Sequence, residues 1–198
     1  MLDRPRLLLA ALGAMLVLSC GVATASAARL STSEQRFNLI WAPIFTTEFG
    51  TRVSCPRIVL EGSFHSRTIV KTVGALIGFI SRASLSSPCT GGTAGVLAEG
   101  LPWHFLYGGF SGTLPRITSL TFRIIGFAFS VTAGGLPACL YRSTTTSPAV
   151  MNVGIAADGR TGVVTAGGTM PGPGGLCPAT TLSGSGGPSE NPLIFTLI

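Results

Sequence analysis

The sequence predicts a mainly β protein, an antiparallel β-sandwich of about seven to ten short strands, on the basis of three observations. Stretches such as "RIVLEGSF" alternate apolar and polar residues with the period of a half-buried strand. Only 10% of the residues are charged, whereas 27 are glycine and 13 are proline, which is typical of short strands separated by many turns. The pair Asp158-Gly159 lies between two alternating runs and indicates a two-residue hairpin with a primed turn.

Alternation of apolar and polar residues along the chain predicts the individual strands of the sandwich. In "RFNLIWAPIF" the alternation starts at Phe37 and is interrupted by Pro43. The later half of "SLTFRIIGFAFSVT" is apolar on both faces, as in a central strand, and "LIFTLI" at the end of the chain is a final strand. The inward faces predict a core that includes Phe37, Leu39, Trp41, Ile58, Leu60, Phe64, Leu120, Phe122, Ile124, Phe127 and Phe129.

The segment "SRTIVKTVGALIGFISRASL" is ambiguous between helix and strand. Ser66 can cap a short helix that runs to about Gly74 with an apolar stripe on one side, while the β-branched residues argue equally for a strand. We predict one short helix near residues 67–74, followed by a strand over "IGFISRASL".

The first 27 residues have the pattern of an export signal. An apolar run follows two arginines, and residues 25–27 ("ASA") fit a cleavage site that would leave Ala28 as the first residue. Two alternatives stay open: a retained membrane anchor, although the apolar run is short, and a membrane-tethered lipoprotein, because "VLSC" resembles a lipobox ending at Cys20. The expected organisation is a signal peptide over 1–27 and one disulfide-stapled domain over 28–198.

Four cysteines follow the predicted signal: Cys55, Cys89, Cys139 and Cys177. An even number in an exported chain predicts two disulfides, for which three connectivities are possible. We expect sequential pairing, Cys55 with Cys89 and Cys139 with Cys177, because each bond then closes a moderate loop within one half of the chain. There is no C-x-x-C spacing and there are only two histidines, so no metal site is predicted.

Several segments together resemble a family of uncharacterised exported actinobacterial proteins. The resemblance rests on "LEGSFHSRTIVK", "GALIGFISRAS", "LPWHFLYGGFSGTLP" and the terminal "TLI", and it spans most of the chain after the signal. The family has no known activity. The resemblance therefore implies a bacterial exported protein and implies nothing about mechanism.

The stretch "LPWHFLYGGFSGTLP" is the one candidate ligand-binding segment. If it is a strand, Trp103, Phe105 and Tyr107 share one face and His104 lies on the other. Trp103, His104 and Tyr107 are therefore candidate ligand-binding residues, with the aromatic face as a platform for sugar rings. The alternative interpretation is that the rings fill the space between sheets, where each would bury about 150–250 Å².

The sequence contains no signature of catalysis or of cofactor binding. It has no G-x-S-x-G elbow, phosphate-binding loop, H-E-x-x-H motif or EF-hand loop, and no catalytic residue or cofactor is predicted. His65 and His104 have no partner in sequence and are interpreted as structural. A glycosidase would need two carboxylates such as Glu61 and Glu99 to converge to about 5–9.5 Å.

Charge and composition indicate the class of partner. Removal of residues 1–27 takes away two arginines and one aspartate and leaves a net charge of +5. The arginines are scattered along the chain, so nucleic-acid binding is not predicted. The expected function is that of an exported, non-enzymatic protein of the cell envelope or extracellular space that recognises a cell-surface glycan or another envelope protein, with no transmembrane segment after cleavage. The alternatives are a small secreted hydrolase of wall or polysaccharide material and a carbohydrate-binding module.

Overall fold

The structure is a computed structural model that describes residues 29–113, 116–135, 137–187 and 192–197. The predicted signal peptide, including Cys20, lies outside these residues. The described part contains one 3-10 helix, Ala98–Gly100, and fifteen strands: β1 (Leu30–Thr32), β2 (Arg36–Thr47), β3 (Arg52–Ser54), β4 (Ile58–Phe64), β5 (Thr68–Ile69), β6 (Leu76–Leu85), β7 (Gly92–Val96), β8 (Trp103–Thr113), β9 (Arg116–Ile125), β10 (Ala128–Ala133), β11 (Cys139–Arg142), β12 (Ala149–Ile155), β13 (Thr161–Met170), β14 (Thr180–Gly186) and β15 (Phe195–Leu197).

The prediction of a mainly β, antiparallel fold is confirmed. Nine strands form one sheet in the order β14-β13-β12-β9-β8-β6-β4-β2-β3, and every neighbouring pair in it is antiparallel. The strands outnumber the seven to ten expected because five of the fifteen are only two to four residues long.

The large sheet closes on itself, a feature that the sequence did not predict. Strand β14 pairs with β13 on one side and with β2 on the other, where Thr180 lies opposite Thr47 and Ser185 opposite Ala42. Strand β2 is long enough to serve two partners, because residues 36–41 pair with β4 and residues 42–47 pair with β14. The eight strands from β2 round to β14 therefore have a hydrogen-bonded neighbour on each side over part of their length, which removes most of the free edge.

Two small sheets pack on the interior of the closed sheet through aromatic rings. In the sheet β15-β1-β5, Phe195 contacts Phe64 and Phe122, with ring centroids 6.2 and 6.5 Å apart. Next to the sheet β11-β10-β7, Phe127 contacts Trp103 at 4.6 Å and Trp41 at 6.1 Å. All of these rings belong to one continuous hydrophobic core.

The predicted core is confirmed at every position. All eleven residues are buried: Phe37, Leu39, Trp41, Ile58, Leu60, Phe64, Leu120, Phe122, Ile124, Phe127 and Phe129. An interior pocket lined by Phe37, Phe64, Phe122 and Phe195 has a volume of about 10 Å³. Because that volume is no larger than one water molecule requires, the inside of the closed sheet is filled by its own side chains.

The predicted helix near residues 67–74 is wrong. Thr68 and Ile69 form β5, and Ile69 pairs with Leu30 of β1 while its side chain is buried. The Ser66 hydroxyl accepts a hydrogen bond from the Thr68 N–H at 3.1 Å, so it closes a local turn instead of capping a helix. The segment contains a strand and no helix, as its β-branched residues favour.

The hairpin at Asp158-Gly159 is present, but its turn differs from the one predicted. Gly159 N–H donates to the Ala156 carbonyl and has φ of +83°, whereas no non-glycine residue among those described has positive φ. A primed turn would require positive φ at Asp158. The loop between β12 and β13 is therefore a longer connection in which only Gly159 adopts the left-handed conformation.

Both predicted disulfides are confirmed with the expected connectivity. Cys55 is bonded to Cys89, and Cys139 is bonded to Cys177. The first bond joins the segment between β3 and β4 to the segment between β6 and β7, and the second joins β11 to the loop after β13. Two structural disulfides fit an oxidising compartment.

Candidate functional site

The three predicted ligand-binding residues do not form one site. Trp103 and Tyr107 are 0% and 2% exposed and point into the core, where the Trp103 ring meets Phe127 edge-on with an interplanar angle of 77°. His104, between them on β8, is exposed on the opposite face. Since neither Trp103 nor Tyr107 can reach a sugar, the platform hypothesis for this face fails, and the rings fill the core as in the alternative interpretation.

The candidate carboxylates Glu61 and Glu99 do not line a common groove. Glu61 lies on the outer face of β4, whereas Glu99 belongs to the short helix between β7 and β8. The groove that contains Glu61 is lined by no second carboxylate among the described residues. This arrangement offers no pair of acids for glycosidase chemistry.

A groove of about 880 Å³ lies on the outer face of β2, β4 and β6, and we call it the arginine groove. It is lined by three arginines, one carboxylate, three small polar side chains and three further residues, namely Arg36, Arg57, Arg82, Glu61, Asn38, Ser63, Ser81, Phe37, Ile40 and Gly62. The arginines come from three separate parts of the chain. They meet only because their strands pair. Their scattered positions in the sequence therefore gave no indication of this site.

The register of the three strands explains why these side chains share one face. Arg36 lies opposite Ser63, Asn38 lies opposite Glu61, and Glu61 in turn lies opposite Arg82. Directly paired residues on adjacent strands project to the same side of a sheet. The pairing of β4 with β6 shifts after Glu61, which leaves Ser81 as the extra residue of a bulge within the groove wall.

The arginine groove carries more positive than negative charge. Arg82 Nη1 and Glu61 Oε2 are 3.7 Å apart, with side chains 82% and 49% exposed, so this ion pair is solvated and weak. No carboxylate of the described residues lies within 4.0 Å of Arg36 or Arg57 in an ion pair. Two guanidinium groups are therefore available to an external anion, and guanidinium binds carboxylate or phosphate oxygens in a bidentate manner.

Three rings lie beside the groove on the same outer face, and we call His65, Phe79 and His104 the ring row. The Phe79 ring is 4.9 Å from His65 and 5.5 Å from His104, and the rings are tilted by 56° and 54°. Both histidines are exposed and Phe79 is half-buried. Sequence reasoning missed this row because His65 and His104 meet only through the strand between them.

The ring row is continuous with the arginine groove. Ser63 lies opposite Arg36 on one side and opposite Phe79 on the other, and Phe79 lies opposite His104. One line of paired residues thus crosses β2, β4, β6 and β8 at right angles to the strands. Three inter-strand steps of about 4.8 Å make this line roughly 14 Å long.

The described residues offer no metal centre, because no three His, Cys, Asp or Glu side chains among them are close enough to share an ion. No helix in the same part of the chain combines the length and apolar character of a membrane span. The chain matches no protein-family model, no curated protein and no solved structure.

Proposed function

We propose that this chain is an exported, non-enzymatic protein of the cell envelope or extracellular space that recognises an anionic polymer of the cell surface through the arginine groove. The observation that carries the proposal is the groove itself, in which Arg36 and Arg57 face solvent without a carboxylate partner among the described residues. A single solvated ion pair, Arg82 with Glu61, leaves the groove with net positive charge.

Export is supported by the N-terminal pattern and by the disulfides. The first 27 residues have the order of a signal peptide, and both cysteine pairs are oxidised. The resemblance to exported actinobacterial proteins points the same way. A lipid anchor at Cys20 would keep the same groove at the membrane surface.

A non-enzymatic role is supported by the chemistry that the groove offers. Glu61 is its one carboxylate, and it is paired with a solvated arginine instead of being held in an apolar or like-charged setting. All four cysteines among the described residues are used in disulfides, so none of them is a thiol nucleophile.

The test compares two pairs of arginine substitutions that change net charge equally. We expect Arg36→Gln with Arg57→Gln to weaken binding to polygalacturonate at least about tenfold, which corresponds to about 1.4 kcal/mol. Arg116→Gln with Arg142→Gln is the matched control, because neither of these arginines forms an ion pair with a carboxylate of the described residues. Both control arginines are exposed, and neither lines the groove.

Two further readouts sharpen the test. Glu61→Gln removes the groove's carboxylate, so binding should strengthen by a few-fold at most, because an exposed ion pair is worth under ~1 kcal/mol. Binding should also weaken as added salt shortens the screening length. If both arginine pairs weaken binding equally, the attraction is one of net charge, and the groove is not the binding site.

A further inference from the structure

We infer that the ring row is a stacking subsite for sugar rings, so that the ligand of the arginine groove is an acidic polysaccharide. This inference rests on the proposed function and names its ligand class. Arg36 lies on the same line of paired residues as the ring row, whereas Arg57 lies about 20 Å farther along the outer face, six residues before Ser63. Neither arginine has a carboxylate partner among the described residues, and a polymer that carries both sugar rings and acidic groups is the ligand that contacts rings and arginines.

The rings of the ring row lie on the outer face of the sheet. Most aromatic side chains of this protein are buried, yet Phe79 is half-buried on the outer face with an exposed histidine on either side. Aromatic faces hold the C–H surface of a sugar ring by dispersion and by their negative quadrupole, while the sugar hydroxyls remain in water.

The site is longer than a single small anion. The line from Arg36 to His104 crosses four strands and is roughly 14 Å long at about 4.8 Å per step. A free phosphate or sulfate would engage the arginines and leave the rings uncovered. A chain of several linked sugars spans both parts, and the tilt between neighbouring rings allows each ring to contact a different sugar.

Acidic peptides and single-stranded nucleic acid fit the site less well than an acidic polysaccharide. An extended acidic peptide would gain most from pairing with a free strand edge, but β4, the central strand of the groove, is hydrogen-bonded to β2 on one side and β6 on the other. Single-stranded nucleic acid also stacks on rings, but its affinity depends on many phosphate contacts, and this groove holds three arginines and a glutamate. A polysaccharide whose sugar rings stack on the ring row needs fewer charge contacts for the same affinity.

The experiment uses the exported, fully oxidised protein and four probes: polygalacturonate, neutral dextran, poly-glutamate and oligothymidylate. Phe79→Leu removes the ring and keeps apolar bulk, and we expect it to weaken polygalacturonate binding about fivefold, a change of about 1 kcal/mol, with poly-glutamate binding unchanged. Phe79→Trp should retain binding.

Phe110→Leu is the matched control, since Phe110 is an exposed phenylalanine outside the ring row. His104→Gln removes a second ring of the ring row. Because His104 is exposed, this substitution disturbs the packing of the protein less than Phe79→Leu does.

The outcomes separate this inference from the proposed function. The paired substitutions of Arg36 and Arg57 test the groove, whereas Phe79→Leu and His104→Gln test the stacking subsite. If the arginine pair weakens polygalacturonate binding and the other two variants do not, the arginine groove remains the binding site and the stacking subsite is refuted. If Phe79→Leu weakens poly-glutamate binding equally, the ring acts through the fold and the subsite is again refuted. If oligothymidylate binds more tightly than polygalacturonate and depends on Phe79, the ligand class is wrong. If no groove or ring variant changes any binding, both proposals fail.

Discussion

At the scale of single residues, the two tyrosines show how burial sets chemistry in this fold. Tyr107 and Tyr141 are the only tyrosines, and both are almost fully buried. Burial raises the pKa of Tyr107 above its ordinary value of 10.0. Burial also raises the pKa of Tyr141, and the negative charge of Glu48 raises it further.

These raised pKa values predict a defined loss of stability at alkaline pH. Each phenol holds its proton more tightly in the folded state, so its contribution to stability is fully present below the unfolded pKa of about 10 and is lost as pH rises through the folded pKa. Glu48→Gln removes the charge next to Tyr141. We expect it to lower the pKa of Tyr141 and to reduce the alkaline loss of stability.

Phenolate absorbance in a pH titration measures this effect. A Tyr107→Phe background leaves Tyr141 as the single phenol, and a Tyr141→Phe background isolates Tyr107, which Glu48 does not influence. Glu48→Gln should move the titration to lower pH only in the first background. An unchanged titration there would mean that burial alone accounts for the pKa of Tyr141.

Residue-level reasoning from the sequence succeeded for burial and failed for the site. Alternation predicted that Trp103 and Tyr107 lie on one face and His104 on the other, which the structure bears out. For β8, alternation left open whether the aromatic face is buried or exposed. Arg36 and Arg82 meet in one groove only through the strand register, and register depends on partners far away in the sequence.

At the scale of elements, local signals predicted strands better than strand ends. Pro43 was expected to interrupt the first long strand, but β2 continues to Thr47. Pro43 lies between the residues of β2 that pair with β4, which end at Trp41, and those that pair with β3, which begin at Ile44, so the N–H that proline lacks falls in the gap between these two ladders. A change of partner leaves no trace in a local sequence pattern.

The connection between β12 and β13 provides an element-scale prediction on Gly159. Its φ is +83°, and a Cβ placed there would lie 2.7 Å from the Phe195 carbonyl oxygen of β15. The Gly159 carbonyl also accepts the Phe195 N–H. Alanine at this position therefore strains the turn and pushes β15 away from it.

Gly74 is the matched control, because it also has φ of +83° but its Cβ would meet nothing within 4 Å. We expect Gly74→Ala to cost about 1–2 kcal/mol from backbone strain alone. Gly159→Ala should cost about 1–3 kcal/mol more, because the crowded carbonyl must move. Urea unfolding of both variants measures the difference, and equal costs would show that β15 adapts freely to the extra methyl group.

At the scale of the whole molecule, the closed sheet explains why the outer face carries the site. The interior is filled by two groups of aromatic rings that follow one another along β2, from Phe37 to Phe45. Because the interior pocket among the described residues has room for about one water molecule, the outer surface is the part of this closed sheet that can recognise a large ligand. Composition predicted the β class, but closure depends on β2 pairing with β14, whose residues lie far apart in the chain.

The two disulfides hold different parts of this architecture. Cys55 lies two residues before Arg57, and Cys89 follows the strand that carries Arg82, so the bond between them braces the wall of the arginine groove. Cys139 and Cys177 tie β11 to the loop between β13 and β14. No residue within that loop lines the groove.

Removal of each bond should therefore have a different effect on binding. Replacing both cysteines of either pair with alanine should cost roughly 2–5 kcal/mol of stability, seen as a lower melting temperature. Only Cys55→Ala with Cys89→Ala should also weaken binding to polygalacturonate at temperatures where the variant remains folded, because Arg57 then loses its fixed position relative to Arg82. The variant without Cys139 and Cys177 is the control, and equal binding by the two variants would mean that strand pairing alone positions the arginines.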